Sequence, residues 1–200
     1  MEKRKKKTEI PETKARLTGI AGIGKSVGCT HFTIMYANYL AGFCRKKTAV
    51  IEWNDSGDFE RIEKVCTGRV EEYRPCHILE ADYYKNAGEK DMGLILDENY
   101  EEILIDFGPL DDMSGNEFRR CEKKFMVVSF SEWQQEMIRE SVCGKYRAEK
   151  KGWQFVASFG SEETRKEFER RFGISAKRIP FSADAFSVTE ECGEFFKRIL

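Results

Sequence analysis

Blocks of apolar residues alternate with amphipathic stretches along most of this chain. The apolar blocks are short and continuously hydrophobic, as in strands buried on both faces of a sheet. We predict strands at residues 15–21, 48–53, 77–84, 102–106, 124–130, 153–158 and 176–179. Strands of this kind, separated by helices, predict a mainly parallel sheet covered on both faces, which is a three-layer α/β/α fold.

The amphipathic stretches have the three- and four-residue spacing of helices. In the first of them, residues 27–44, large apolar residues recur on one face from Phe32 to Phe43. Further helices are predicted at 58–65, 92–96, after Ser131, at 161–172 and at 187–200. Ser131 and Ser161 are the residue type that caps a helix N-terminus. The last helix is expected to pack on the sheet rather than to bind a membrane.

Composition and charge narrow the class of protein. The chain has 200 residues, 40% of them apolar, which suits one domain with its own core. The net charge of −1 argues against binding to nucleic acid through the whole surface. Seven cysteines occur without any C-x-x-C spacing, which argues against both a disulfide framework and a zinc site. Together with the lack of a secretory signal or a long apolar run, this predicts a cytoplasmic protein.

The N-terminus differs from the rest of the chain. Residues 3–7 read KRKKK, and Pro11 follows. We predict that residues 1–14 are a flexible basic tail and that residues 15–200 form the domain. A solvated tail is favoured over contact with nucleic acid or an acidic membrane.

A glycine-rich segment carries the strongest chemical signal. Residues 19–26 satisfy the pattern G-x-x-x-x-G-K-[ST]. In that pattern backbone amides surround phosphate oxygens, the lysine (here Lys25) reaches the outer phosphates, and the hydroxyl (here Ser26) holds Mg²⁺. The following helix adds the positive end of its dipole. The segment therefore predicts a phosphate-binding loop.

Two other polar segments follow predicted strands. Asn54 and Asp55 follow the second strand, and Asp106 ends the apolar run at 102–106. Ligands of parallel sheets bind beyond the carboxyl ends of the strands, where the glycine loop also lies. Asp106 is a candidate carboxylate for Mg²⁺, and Asn54 a candidate for orienting a water molecule. The alternatives are a strand-end cap for Asp106 and an Asx turn for Asn54.

Beyond the loop, residues 27–41 read VGCTHFTIMYANYLA and resemble the loop and first helix of the MinD/ParA group of deviant P-loop ATPases, which typically read V-G-K-T-T and end like A-N-Y-L-A. Residues 50–54 resemble the second strand of that group, and residues 103–109 resemble its Walker B strand. Residues 179–182 are similar to the loop that borders the adenine base. The resemblance implies a SIMIBI-like P-loop NTPase fold that binds ATP and Mg²⁺.

The resemblance also implies a role for each matching residue. Thr30 and Asp106 would hold Mg²⁺, and Asn54 and Asp106 would serve catalysis. The residues implied to bind the nucleotide are Gly24, Lys25, Ser26, Val27, Gly28, Cys29, Thr30, His31, Pro180 and Phe181. Taken by itself, His31 is more simply explained as a packing or surface histidine.

The chain departs from the family at the residues that matter most for hydrolysis. Cys29 stands where the family has its phosphate lysine, and Gly24 stands where it has its second, signature lysine. Glu52 and Asn54 replace two aspartates. A thiol cannot supply the charge of a lysine, so hydrolysis is expected to be weak or absent. In the competing register, residues 19–26 form the loop and Lys25 is the phosphate lysine, but the first strand then shrinks to 15–18.

Three functions remain compatible with these residues. The first is an ATP-binding switch whose homodimer recruits an unknown protein partner in positioning, partitioning, or pilus or secretion assembly. The second is a pseudo-ATPase scaffold that binds no nucleotide, as in degenerate, TadZ-like members of the group. The third and weakest is a small phosphotransferase that uses Lys25.

Overall fold

One sheet of eight strands runs through the part of the molecule that the computed structural model describes, residues 15–72, 75–111 and 114–200. The strands are β1 (Arg16–Gly22), β2 (Thr48–Glu52), β3 (Cys76–Ile78), β4 (Ala81–Tyr84), β5 (Glu102–Pro109), β6 (Lys123–Val128), β7 (Gln154–Ala157) and β8 (Ala176–Arg178). Their spatial order is β3-β4-β2-β5-β1-β6-β7-β8, and all neighbours are parallel except β3 and β4. The predicted tail, residues 1–14, lies outside the described residues.

Helices connect most of the strands and cover both faces of the sheet. They are α1 (Cys29–Asn38), α2 (Asp58–Thr67), α3 (Glu89–Asp97), α4 (Gly115–Arg120), α5 (Gln135–Glu140), α6 (Glu162–Phe172) and α7 (Glu190–Ile199). A π-helical turn, Tyr39–Phe43, extends α1. The prediction of a three-layer α/β/α fold with a mainly parallel sheet is therefore confirmed.

Aromatic rings join α1 and α7 to one face of the sheet. The ring of Phe32 in α1 lies 5.2 Å from that of Phe125 in β6, and the ring of Tyr36 lies 5.3 Å from that of Phe196 in α7. Phe196 is fully buried, so α7 packs on the sheet as expected. None of the described helices is long and apolar enough to cross a membrane.

The opposite face is closely packed at Gly19. This residue lies in the middle of β1, opposite Ile105 in β5 and Lys124 in β6. A Cβ atom at Gly19 would come within 2.8 Å of the ring of Phe118 in α4 and 2.9 Å of Cys121 Sγ. Glycine at this position therefore lets α4 approach the sheet.

Several element boundaries differ from the predicted ones. The segment 77–84 is an antiparallel hairpin, β3 and β4, rather than one strand, because Leu79 adopts a positive φ of 53° and turns the chain. Helix α4 was not predicted. Ser161 caps α6 as predicted, but the Ser131 side chain caps no amide. The last helix, predicted to begin at residue 187, begins at Glu190 and is capped by Thr189.

Candidate functional site

The loop between β1 and α1 ends in a helix N-terminus with free amides. Gly28 precedes α1 with φ 92° and ψ 27°, a left-handed conformation that glycine adopts without strain. The first amide with a helical acceptor is that of Phe32, which donates to Gly28 O at 2.9 Å. The amides of Cys29, Thr30 and His31 have no acceptor within the helix, so this end attracts anions.

The strand and helix boundaries favour one of the two registers. β1 continues to Gly22, and α1 begins at Cys29. In the register of residues 19–26, Gly19 would begin the phosphate loop, but it is paired on both sides inside the sheet. The structure therefore follows the register in which Gly28, Cys29 and Thr30 form the start of the helix.

A cleft of about 1240 Å³ opens beside this loop. Its walls include residues 24–31, 53–56, 86–89 and 107–111, which lie at or just beyond the carboxyl ends of β1, β2, β4 and β5. Lys25 and Ser26 are exposed on the cleft. The three segments predicted to meet at this edge of the sheet do meet there.

Asp106 lies behind the helix start and is fully buried. Its Oδ1 accepts hydrogen bonds from the Cys29 thiol at 3.1 Å and from the Gly108 amide at 2.9 Å, while Oδ2 has no partner among the described residues. Burial raises the pKa of Asp106, although the nearby Thr30 hydroxyl favours the charged form.

The Cys29 side chain is engaged by Asp106. Its thiol is directed at Asp106, and burial, together with the charge of that carboxylate, raises the pKa of Cys29 well above its usual value. A neutral thiol therefore stands at the place of the family's phosphate lysine, and Lys25 is the basic side chain that the loop itself contributes to the cleft.

Asn54 is held by two hydrogen bonds. Its Nδ2 donates to Asp106 O at 2.9 Å, and its Oδ1 accepts from the Ser56 amide at 2.9 Å, which makes an Asx turn. Both ends of the side-chain amide are thus engaged within the protein. Asn54 also lines the cleft. That it orients a water molecule remains a prediction.

Glu52 has a structural role that the sequence did not reveal. The carboxylate is buried at the end of β2, and it accepts hydrogen bonds from the Phe59 amide at 3.1 Å, the Asn86 amide at 3.2 Å and the Ser56 hydroxyl at 3.0 Å. It joins the first turn of α2 to the segment after β4, which forms one wall of the cleft. A buried strand that ends in Glu just before a helix is the only signal for this in the sequence.

Two predicted residues lie away from the cleft. Pro180 and Phe181 follow β8 at the edge of the sheet, and neither lines the cleft. The Phe181 side chain is 77% exposed. His31, by contrast, lies in the cleft wall. The predicted contact of residues 180 and 181 with a base remains a prediction.

Comparison with solved structures identifies the fold. The chain is similar to a ParA family ATPase from Chlorobium tepidum TLS (17% identity, TM-score 0.60, 94% of this chain and 92% of that chain). It is also similar to a putative plasmid partition protein from Borrelia burgdorferi B31 bound to AMPPNP (14%, 0.66, 93% and 96%). A third similar structure is the MinC:MinD cell division complex of Aquifex aeolicus (14%, 0.60, 90% and 86%).

The chain has the fold of the ParA and MinD ATPases. At these identities the likeness shows the ParA/MinD fold alone. No family model matches the sequence, and no curated protein matches it either.

Within the ParA/MinD fold, the residues present fit a metal ion that is shared with a ligand. No group of three or more His, Cys, Asp or Glu in residues 15–72, 75–111 and 114–200 could hold a metal by itself. Mg²⁺ commonly binds through one or two protein groups together with phosphate oxygens. The Thr30 hydroxyl in the cleft wall, with the unpaired Asp106 Oδ2 behind it, suits that mode of binding.

Proposed function

We propose that this chain is a nucleotide-binding switch that holds Mg-ATP in the cleft and hydrolyses it weakly or not at all. The observation that supports this best is the meeting of the free amides of the α1 N-terminus with a cleft of about 1240 Å³. The Borrelia partition protein with the same fold was solved bound to AMPPNP, which also supports a nucleotide.

Each residue in the cleft has a defined task in this proposal. The amides of Cys29, Thr30 and His31 would bind phosphate oxygens, and the exposed Lys25 would add a positive charge. Mg²⁺, when bound, would neutralise charge on the phosphates. Thr30 would contribute its hydroxyl to the ion, and Asp106 would orient that hydroxyl from behind.

Weak or absent hydrolysis follows from two side chains. The neutral thiol of Cys29 cannot stabilise the charge that develops on the phosphates during transfer. Asn54 stands where the resembling family has an aspartate, and its side-chain amide carries no negative charge with which to activate an attacking water molecule. Binding without turnover would make the protein a switch that is reset by release of the nucleotide.

The output of the switch would be the assembly of a complex. By analogy with the resembling family, the ATP-bound form would be a homodimer that recruits a protein partner. Two of the similar structures are described as a plasmid partition protein and a cell division complex, which supports a role in positioning or partitioning. Assembly of a pilus or a secretion machine is the other role within this proposal.

A second candidate function is a scaffold that binds no nucleotide. The hydrogen bond from the Cys29 thiol to Asp106 favours the scaffold, because the residue at the lysine position is engaged with the Walker B carboxylate inside the protein. In that case the fold would serve as a binding surface alone.

Thermal unfolding in the presence of Mg-ATP, in the presence of Mg-ADP and without ligand separates the two candidates. A ligand at about one hundred times its dissociation constant adds about 2.7 kcal/mol to the free energy of unfolding. For a domain of this size that corresponds to a rise in Tm of about 5 to 10 °C. A rise with Mg-ATP, accompanied by dimerisation in sedimentation velocity, supports the switch. An unchanged Tm supports the scaffold.

A further inference from the structure

Three exposed aromatic residues follow neighbouring strands at the carboxyl edge of the sheet. Trp133, Phe159 and Phe181 follow the ends of β6, β7 and β8, which are neighbours in the sheet. Their side chains are 80%, 56% and 77% exposed. Clustered exposed apolar side chains of this size mark interaction sites more often than ordinary surface.

A cavity of about 350 Å³ lies between the start of α5 and helix α6. Its lining residue Glu132 directly precedes Trp133, and its lining residues Phe130 and Thr164 lie against Gly160, which follows Phe159. Its lining includes three carboxylates and one guanidinium, from Glu132, Glu136, Glu167 and Arg171. Arg171 donates to the side chain of Gln135, and Glu136 pairs with Arg139 outside the cavity. Glu132 and Glu167 form no ion pair with any residue in the described parts of the chain, so the cavity carries an excess of negative charge.

We propose that the cavity, together with Trp133 and Phe159, is a docking surface for a basic, partly apolar segment of another protein; we call it the α5–α6 surface. A lysine or arginine of that segment would enter the cavity and pair with Glu132 and Glu167. Apolar residues beside it would pack on Trp133 and Phe159, which are large and rigid and lose little entropy when they bind.

Charge complementarity favours a basic segment of a different protein over a second copy of this chain. In a two-fold dimer built on the α5–α6 surface, the same unpaired carboxylates of both copies would face one another. A basic segment neutralises them instead.

The α5–α6 surface is joined to the loop of the candidate site through α5. The thioether of Met137 in α5 contacts Gly24 closely enough that a Cβ atom at Gly24 would collide with it. The docking proposal goes beyond the proposed function, because it requires no nucleotide in the cleft.

Selection of random 12-residue peptides displayed on phage against the full chain tests the proposal. The enriched peptides are expected to carry Lys or Arg within two residues of an apolar residue. Each is then synthesised with a fluorescent label, and its binding is measured by anisotropy. The double variant Glu132→Gln/Glu167→Gln and the variant Trp133→Ser are each expected to weaken binding about tenfold or more.

The matched control is Glu163→Gln, which removes an exposed charge from α6 that does not line the cavity. It is expected to change binding less than twofold. All these side chains are exposed, so the variants should fold, which circular dichroism verifies. The proposal is overturned if no peptide is selected, if the selected peptides lack basic residues, or if the double variant binds them as well as the control does. A dimer in sedimentation velocity that Trp133→Ser dissociates would assign the surface to a second copy and also overturn it.

Discussion

The thiol of Cys29 donates a hydrogen bond to Asp106 Oδ1 over 3.1 Å, and both side chains are buried. This bond connects Cys29, the first residue of α1, to a carboxylate inside β5, and Cys29 stands where the resembling ATPases have a lysine. It gives one oxygen of a buried carboxylate a hydrogen-bond partner. Because the thiol is neutral, residue 29 adds no positive charge to the loop.

Replacing the thiol by an amine should therefore increase nucleotide binding. Cys29→Lys is expected to bind a fluorescent ATP analogue at least about tenfold more tightly than Cys29→Ser, because a positive charge then faces the phosphates. It should also release phosphate from Mg-ATP faster than the wild-type protein. The serine variant is the control, since it keeps a donor near Asp106. Equal binding by the two variants would show that position 29 does not face the phosphates.

Lys25 is the second test of the cleft. Lys25→Ala should weaken binding of Mg-ATP about tenfold, because a charge-assisted contact to phosphate is lost from an exposed side chain. The Tm without ligand should stay the same. The control is Lys166→Ala, which removes an exposed lysine from α6 away from the cleft. Titration calorimetry measures both, and similar affinities for the two variants would exclude Lys25 from the site.

Glu52 should be important for stability rather than for chemistry. Glu52→Ala leaves the buried amide of Phe59 and the part-buried amide of Asn86 without their acceptor, so the free energy of unfolding should fall by about 2 to 4 kcal/mol. Glu60→Ala, at an exposed position of α2, should change it by less than about 0.5 kcal/mol. Urea unfolding monitored by tryptophan fluorescence gives both values. A loss below about 1 kcal/mol for Glu52→Ala would contradict the role assigned to this carboxylate.

Lys123 should make stability depend on pH in the alkaline range. Its amine is half-buried beneath α7, donates to Ile199 O at 2.5 Å, and faces Arg16, Lys177 and Glu102. Burial, aided by the charges of Arg16 and Lys177, lowers the pKa of Lys123 to about 8 from 10.5. Between these two values the unfolded chain binds a proton that the folded chain does not, so stability rises with pH there.

The variant Lys123→Met isolates this effect from other groups that titrate in the same range. From about pH 8 to about pH 10, the free energy of unfolding of the wild-type protein should rise relative to that of the variant by about 1 to 2 kcal/mol. Urea unfolding at four pH values measures the difference. A difference that is constant over this range, or that falls, would show that the amine keeps its ordinary pKa in the fold.

The fold could be predicted because its signals are local and repeated. Continuous apolar runs indicated the parallel strands, although the strand predicted at 102–106 continues to Pro109. The apolar periodicity could not decide between the two registers of the loop. They are four residues apart, which is about one helical turn, so both give the helix the same apolar face. Strand length decided it, and β1 does extend to Gly22.

The details that were missed depend on contacts between distant parts of the chain. The turn at Leu79 has no glycine or asparagine to signal it, yet it divides 77–84 into two strands. Helix α4 is six residues long and has no extended apolar face; the buried Phe118 holds it to the sheet. The bonds of Glu52 join segments 34 residues apart, and no periodicity records such a distance. The Asx turn of Asn54 was weighed as an alternative and is present.

Gly19 shows that a match to a sequence pattern can have a purely structural cause in this chain. It completes an apparent phosphate-loop signature, but its missing side chain makes room for Phe118 and Cys121 on the far face of the sheet. Glycine is required there because α4 approaches the sheet closely. The same requirement would remain in a descendant that had lost ligand binding. The presence of Gly19 is therefore no evidence by itself that the chain binds a phosphate.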